Sequence, residues 1–273
     1  MTAITSRDNA VLRLARATRD GKSADLIFIE GLRLCEEALR SKLEIDTIIY
    51  SDQIAEKERA ANFLKEASQS GSRLRSVSEK LLSTISYTKT PQGIIALARR
   101  PASGPKRLLE STSKPLLVIM HGINNPVNVG AIVRSAEAAG ATGVITTGST
   151  SDPFSPKSLR GAMGSAFRLP MWAGPEYSEV LRWNAEHKIE TVCTDLHAEE
   201  TYTDVDWTHP SALIVGPEAT GLTREEAAAA QRSVRIPMCG EVESLNVGAA
   251  AAIVLYEAAR QRQFSTDCAD YTD

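Results

Sequence analysis

The sequence predicts an α/β protein in two parts, and three observations carry that reading. Short apolar runs of strand length alternate with segments of helical period from Leu26 nearly to the end of the chain. The run Leu116–Met120 (LLVIM) is apolar throughout, as a strand buried on both faces should be, and a helix with a readable start follows it. Between the halves, residues 101–115 (PASGPKRLLESTSKP) are rich in Pro, Ser and Lys without a sustained apolar period, which marks a linker. With 273 residues, 42% of them hydrophobic, the chain can fill one large or two modest cores. The expected boundaries are a first domain over 1–100, a linker over 101–115, a second domain over 116–264 and a flexible acidic tail over 265–273.

In the first domain, Val11, Leu12, Leu14 and Ala15 give the opening helix an apolar stripe, while Arg7, Arg13, Arg16, Arg19 and Lys22 make its other side basic. Such a face is either simply solvated or, at the front of a basic domain, set against RNA phosphates. LIFIEG then reads as a strand, GLRLCEEALRS as a helix and EIDTIIYS as a strand, followed by a helix from about Ile54 to Gln69. LRSVS and GIIALARR are later strands, with the short helix SEKLLSTIS and the turn Lys89–Gly93 between them.

The second domain starts on LLVIM. Asn125 is placed to cap the next helix and Pro126 occupies its first position, where a missing N–H costs nothing. Val129, Ile132, Val133 and Ala136 repeat at helical spacing as far as Gly140, where a helix usually ends. Arg134 lies off that stripe, one turn after Gly130. Its side chain leans toward the helix start, where an anion, the Asn128 amide and free N–H groups can meet it. The competing reading is a surface arginine on a packing helix.

GVITTG is the next strand. The stretch STSDPFSPKSLRGAMGSAFRLP carries Lys157, Arg160 and Arg168 among small residues, and reads as a loop that either lets backbone approach a ligand or packs on a neighbouring subunit. A helix from about Glu176 to His187 and the strand IETVCTD lead past Trp207 and Pro210 to the strand ALIV. Gly216 and Gly221 flank Glu218 in the turn that follows, and ligands of open α/β sheets gather at such carboxyl ends. After a helix and another strand, Ser244 and Asn246 precede a final helix whose Ala-rich face suits close packing, internally or across a dimer.

The net charge of −3 is unevenly spread: residues 1–100 hold 17 Lys+Arg against 13 Asp+Glu, and the remainder is acidic. A modestly basic first domain fits a polyanion partner. Cys35, Cys193, Cys239 and Cys268 are scattered, with no CxxC pair and no histidine cluster, so neither zinc nor a disulfide framework is expected. The sequence shows no apolar signal segment and no run of membrane-spanning length, and a soluble cytoplasmic protein is the expectation. No GxGxxG turn follows a strand, which sets nicotinamide and flavin enzymes aside.

Three blocks remain: NNPVNVGAIVRSAEAAG (Asn124–Gly140), LIVGPEATGLT (Leu213–Thr223) and VRIPMCGEVESLNVGAAAAIVLYEA (Val234–Ala258). In order and spacing they resemble the three motifs of the SpoU family of RNA ribose 2′-O-methyltransferases, within the SPOUT superfamily. The resemblance spans about Leu116 to Gln263, and EGLRLCEEAL and TPQGIIA resemble the family's amino-terminal substrate-binding domain, itself related to an RNA-binding ribosomal-protein fold. Two positions depart from the family's habit. Asn125 stands where Asp is frequent, and Gly248 where Ser is frequent.

The resemblance implies a SPOUT-type knotted (trefoil) α/β methyltransferase domain preceded by the smaller α/β domain, an exception to the unknotted norm. It also implies S-adenosylmethionine bound in the knot, an RNA substrate and a homodimer whose cleft is completed by the partner, with no metal and no membrane. Ribosomal RNA is favoured over transfer RNA, because the ribosomal branch tends to carry a full α/β amino-terminal domain. By position, Gly216, Ile236 and Leu245 would line the cofactor pocket, largely through backbone groups. Glu218, Ser244 and Asn246 would position the cofactor or the acceptor ribose, and Arg134 would face the ribose with Asn128 holding it. The family assigns an arginine as general base. A guanidinium is effectively always protonated, so holding the neighbouring phosphate and stabilising the developing 2′-alkoxide is the other role open to Arg134. A non-catalytic RNA-binding protein on the same scaffold is the alternative from a different class.

Overall fold

A computed structural model describes residues 2–110 and 112–267, so Cys268 and most of the expected tail lie outside the described residues. In chain order the elements begin with β1 (Thr2–Ile4), α1 (Ala10–Arg19), β2 (Leu26–Glu30), α2 (Leu32–Arg40) and β3 (Ile45–Ser51). Then follow α3 (Asp52–Ala55), α4 (Glu58–Gln69), β4 (Arg73–Val77), α5 (Glu79–Ile85), β5 (Ile94–Arg99), β6 (Leu116–His121) and α6 (Pro126–Ala138). Next are β7 (Gly143–Thr147), α7 (Pro156–Ala162), α8 (Ser165–Arg168), β8 (Met171–Ala173), α9 (Tyr177–Glu186), β9 (Glu190–Thr194) and β10 (Glu200–Thr201). The chain closes with β11 (Ser211–Val215), α10 (Arg224–Ala228), β12 (Arg232–Arg235) and α11 (Val247–Asp267). Two compact units result: Met1–Pro101 with Phe154–Arg168, and Ala102–Pro153 with Leu169–Asp273.

The first unit is built on a five-stranded sheet of order β1-β4-β3-β5-β2, in which β5 runs antiparallel to both of its neighbours. Phe28, Ile49, Ile95 and Leu97 from its strands meet Leu12 and Ala15 of α1 and Leu82 and Ile85 of α5 in one core. Leu14, expected on the buried stripe of α1, is exposed, and Thr18 takes the inward place. Burying that hydroxyl is tolerable because it donates back to Leu14 O at 2.9 Å. The expected helix over Ile54–Gln69 is two helices, since Lys57 has extended backbone between α3 and α4. The three-residue β1 carries no readable period and was not expected.

The largest departure lies at residues 154–168, which the sequence places in the second domain as a loop. They form α7 and α8 and belong to the first unit, where α7 packs on β2. Ser155 caps α7 through Ser158 N, Pro156 follows at its first position, and Leu159 and Ala162 are buried. Arg168, far from a free ligand-facing cation, donates to Glu37 Oε2 at 3.0 Å.

The second unit is a seven-stranded sheet of order β10-β12-β9-β11-β6-β7-β8, parallel throughout. Such a sheet is covered on both faces, which is why β6, β7 and β11 are buried along almost their whole length. The linker is not wholly extended: Pro105–Leu109 forms a 3-10 turn whose Leu108 is fully buried in this unit's core. β10 and β8 were too short to read from sequence. Among the described residues, no helix is long and apolar enough to cross a membrane and no group of three or more His, Cys, Asp or Glu is placed to hold a metal. Cys35 and Cys193 are buried free thiols and Cys239 is an exposed one.

α11 packs on α6 and β11 and is locked at its far end. Arg262 donates to Trp207 O (2.7 Å), Lys114 O (2.7 Å), Pro115 O (3.2 Å) and His209 O (2.6 Å), joining the helix to the start of β6 and to the loop before β11. Burial pushes the Arg262 pKa down, a mark of how far this cation is drawn from water. Gln261 adds a bond from Trp207 N at 2.9 Å. Arg262→Ala leaves several carbonyls short of a donor and is expected to lower unfolding free energy by about 2 kcal/mol in urea titration, while Arg262→Lys recovers part of it.

Candidate active site

Because β6, β11 and β12 are parallel members of one sheet, the chain leaves all three at the same edge, at Gly122, Gly216 and Ile236. Asn125 Oδ1 accepts from Val127 N at 3.0 Å and caps α6, which sets Asn128 in the first turn of that helix. Asn128 is buried, and both ends of its amide are used. Its Nδ2 donates to Glu218 Oε1 at 2.9 Å, in the loop after β11, and its Oδ1 accepts from Asn246 Nδ2 at 3.2 Å, at the start of α11. A carboxylate only accepts, so the Asn128 NH₂ must face Glu218 and its oxygen must face Asn246. Asn246 then has its own oxygen free, and it accepts from Gly248 N (2.9 Å) and Ala249 N (3.4 Å), capping α11.

The loop after β11 is folded as tightly as backbone allows. A Cβ on Gly216 would lie 2.7 Å from Leu222 N, and one on Gly122, where φ is 66°, would lie 2.9 Å from Pro217 Cγ. The loop after β11 therefore closes on the backbone of Gly216, and its Pro217 ring rests on the bare backbone of Gly122 in the loop after β6. In contrast, residues 236–245 make no hydrogen bond among the described residues, and Val242 and Leu245 stand exposed along that segment.

The structure thus brings Asn128, Glu218 and Asn246 together, with Gly216 two residues before Glu218 and Leu245 beside Asn246. Ile236 is partly buried, and Ser244 is exposed without a hydrogen bond among the described residues. Arg134 stands apart. Six residues on from Asn128 it points roughly 120° around the helix, on the exposed side shared with Val127, and makes no hydrogen bond or ion pair among the described residues. Within one chain Asn128 makes no bond to Arg134, because the two side chains leave different faces of α6.

Three blocks of sequence converge here in the way one family of proteins would require, and comparison with known proteins decides the matter. The model of the SpoU rRNA Methylase family matches residues 115–256. The chain belongs to that family. An MRM3-like substrate binding domain matches residues 12–96. Among relatives, the 23S rRNA (uridine(2479)-2′-O)-methyltransferase of Streptomyces viridochromogenes is 31% identical over 252 residues, covering 90% of this chain and 85% of its own length. A 23S rRNA (guanosine-2′-O-)-methyltransferase of Bordetella pertussis is 33% identical, covering 86% and 97%. The AdoMet-bound rRNA methyltransferase of Sinorhizobium meliloti superposes with a TM-score of 0.83 at 30% identity, over 95% of this chain and 97% of that one.

This SpoU chain also carries a cluster that motif reading missed. His121, the last residue of β6, places Nδ1 2.6 Å from Thr147 Oγ1 and Nε2 3.0 Å from Glu226 Oε1, with its ring centroid 4.5 Å from that of Tyr177. Tyr177 in turn donates to Glu226 O at 3.1 Å, and burial pushes its phenol pKa up. The available signal was Thr223-x-x-Glu226, a capping box that the structure forms in full. Bonds from Thr223, then the contact with His121, hold the Glu226 carboxyl below its usual range. The cluster ties α10 and α9 to the β6 end and so fixes the frame around Gly216.

Two outcomes follow. Gly216→Ala forces its new methyl against Leu222 backbone and is expected to cost about 1–3 kcal/mol in urea unfolding. A carboxyl whose native pKa is depressed stabilises the fold above its unfolded pKa of 4.5 and ceases to do so as pH falls through the native value. The urea midpoint of Glu226→Gln is therefore expected to lie below that of the native chain at pH 7, with the gap closing as acid is added below pH 4.5.

Proposed function

We propose that this SpoU protein is an S-adenosylmethionine-dependent methyltransferase of ribosomal RNA, of the 23S type, acting on a ribose 2′-hydroxyl. One observation carries the reading: the Glu218–Asn128–Asn246 chain of hydrogen bonds joins all three motif blocks at the carboxyl edge of a parallel sheet. The two relatives named 23S rRNA methyltransferases align over most of the chain, first domain included, which favours ribosomal over transfer RNA. The basic first domain suits the same substrate.

The residues present fit S-adenosylmethionine. Residues 236–245 have backbone groups free of internal partners, Leu245 and Ile236 add apolar surface beside them, and Gly216 holds the tight turn of the adjoining loop at the same sheet edge. When bound, the cofactor supplies a methyl group on a sulfonium centre, open to in-line attack by an oxygen nucleophile. Asn128 and Asn246 hold the loops that would grip it, and Glu218 presents its second oxygen to a hydroxyl or amine. Alignment of this kind can lower a barrier by about 7–11 kcal/mol. Arg134 would meet the phosphate beside the acceptor ribose and stabilise the developing 2′-alkoxide.

Since Arg134 points away from Asn128 within its own chain, a homodimer in which each copy completes the other's cleft is part of this reading. Supporting it are the exposed apolar residues Val127 on α6 and Tyr256 on α11, which accompany the outward arginine. The trefoil knot and a cytoplasmic location, the latter in keeping with the free thiols of Cys35 and Cys193, belong to the same proposal.

Labelled S-adenosylmethionine offered with total RNA from cells lacking this protein should place 2′-O-methyl label in the large ribosomal RNA. Label in transfer RNA would overturn the substrate, and no label together with no cofactor binding would favour a non-catalytic RNA-binding scaffold. Arg134→Lys keeps the charge but loses the planar fork, and should lose most turnover while cofactor affinity stays unchanged. Mixing inactive Arg134→Ala chains with inactive Asn246→Ala chains should restore about a quarter of native activity if the cleft is shared in a two-fold dimer, and none if each chain holds its own.

A further inference from the structure

Glu30, at the end of β2, is a buried carboxylate that plays no part in the site above. It accepts from Tyr87 N (2.9 Å), Thr88 N (3.2 Å), Thr88 Oγ1 (2.8 Å) and the Ser86 hydroxyl. Four donors from three consecutive residues meet the cost of burying the group and leave the backbone of 86–88 little freedom. The loop is held elsewhere too. Arg19 of α1 donates to Ser86 O at 3.3 Å, and a Cβ on Gly31, where φ is 104°, would collide with the Gln92 side chain, so the far end of the loop rests on bare backbone.

What this rigid loop displays is an aromatic ring. Tyr87 is 43% exposed although its own N–H is pinned to the buried carboxylate. Lys89 and Thr90 follow it in the open, and Arg33 and Lys22 are exposed on the two segments that touch the loop. Of the acids beside them, Asp20 is paired with Arg19 at 2.8 Å and Glu36 with Arg59 at 2.7 Å. A lone exposed tyrosine needs no explanation, but one held out by a buried carboxylate among exposed cations does. Unpaired bases of folded RNA are bound by aromatic rings on which they stack, with cations on the adjoining phosphates.

We infer that Tyr87 is a stacking platform for an unpaired nucleotide of the RNA, positioned by Glu30, with Lys89 and Arg33 on the flanking phosphates. This rests on ribosomal RNA being the substrate. It makes the first unit a reader of one splayed base, in addition to an electrostatic anchor.

The test uses the full-length protein and a 23S rRNA transcript, with filter binding at several salt concentrations beside methylation kinetics. Tyr87→Ala should raise Kd and KM about 5- to 150-fold with kcat at saturation unchanged, and Tyr87→Phe should stay near the native values. Lys89→Ala should flatten the dependence of log Kd on log salt by about one unit, whereas Tyr87→Ala leaves that slope alone. Glu30→Gln should raise KM without changing kcat, the unfolding curve confirming that the unit is folded. Unchanged Kd and KM in Tyr87→Ala, or a Tyr87→Phe variant as weak as Tyr87→Ala, overturns the inference. A native protein that binds but does not methylate the transcript contradicts the proposed function alone, since the Tyr87 comparison still decides by Kd. One that does not bind it contradicts both.

Discussion

The site depends on a single amide. Asn128 is buried at the start of α6 with a carboxylate on one side and a second amide on the other, and the direction of every bond in the chain follows from Glu218 being unable to donate. The order runs from Glu218 through Asn128 to Asn246 and ends on the free N–H groups of α11. A negative charge is thereby connected to the positive end of a helix, an arrangement that is favourable in itself. Replacing Asn128 by an apolar residue would leave Glu218 and Asn246 without a common partner. Replacing it by Asp would set two carboxylates against each other.

Three segments far apart in sequence can meet at Asn128 only because the sheet is parallel. Strands that all point one way deliver their following loops to one edge, where Gly122 takes the Pro217 ring on bare backbone and Gly216 lets the loop after β11 close on itself. Around this edge the His121–Glu226 pair and the Arg262 anchor are scaffolding: the first fixes α10 to the end of β6, the second fixes α11 to its beginning. The segment 236–245 is left without internal hydrogen bonds among the described residues, between two rigid supports. A ligand held through backbone groups needs such a segment.

Much of this was legible in the residues. LLVIM followed by Asn125–Pro126 is a buried strand and a capped helix by composition alone, and the structure has both. Glu218 was visible from the flanking glycines, and Asn246 from its place before an Ala-rich helix. Two things were hidden for definite reasons. Residues 154–168 carry a sound helix start in Ser155–Pro156, but the small residues around it mask the apolar period, so two helices read as a loop. The separation of Arg134 from Asn128 is contained in their six-residue spacing, which turns the two side chains roughly 120° apart, and the resemblance to a motif that groups them masked it. His121 has no motif of its own, and its role emerges only where Thr147, Tyr177 and Glu226 arrive from three other elements.

The most direct measurement is calorimetric titration of S-adenosylmethionine into the Asn128→Ala variant beside the native protein, with circular dichroism to confirm that the fold is kept. Losing the link between the Glu218 loop and the head of α11 should weaken binding by about tenfold or more, roughly the worth of one hydrogen bond to a charged group. Native affinity in a folded Asn128→Ala protein would contradict the account, because the cofactor loops would then be shown to hold their shape without the amide that joins them.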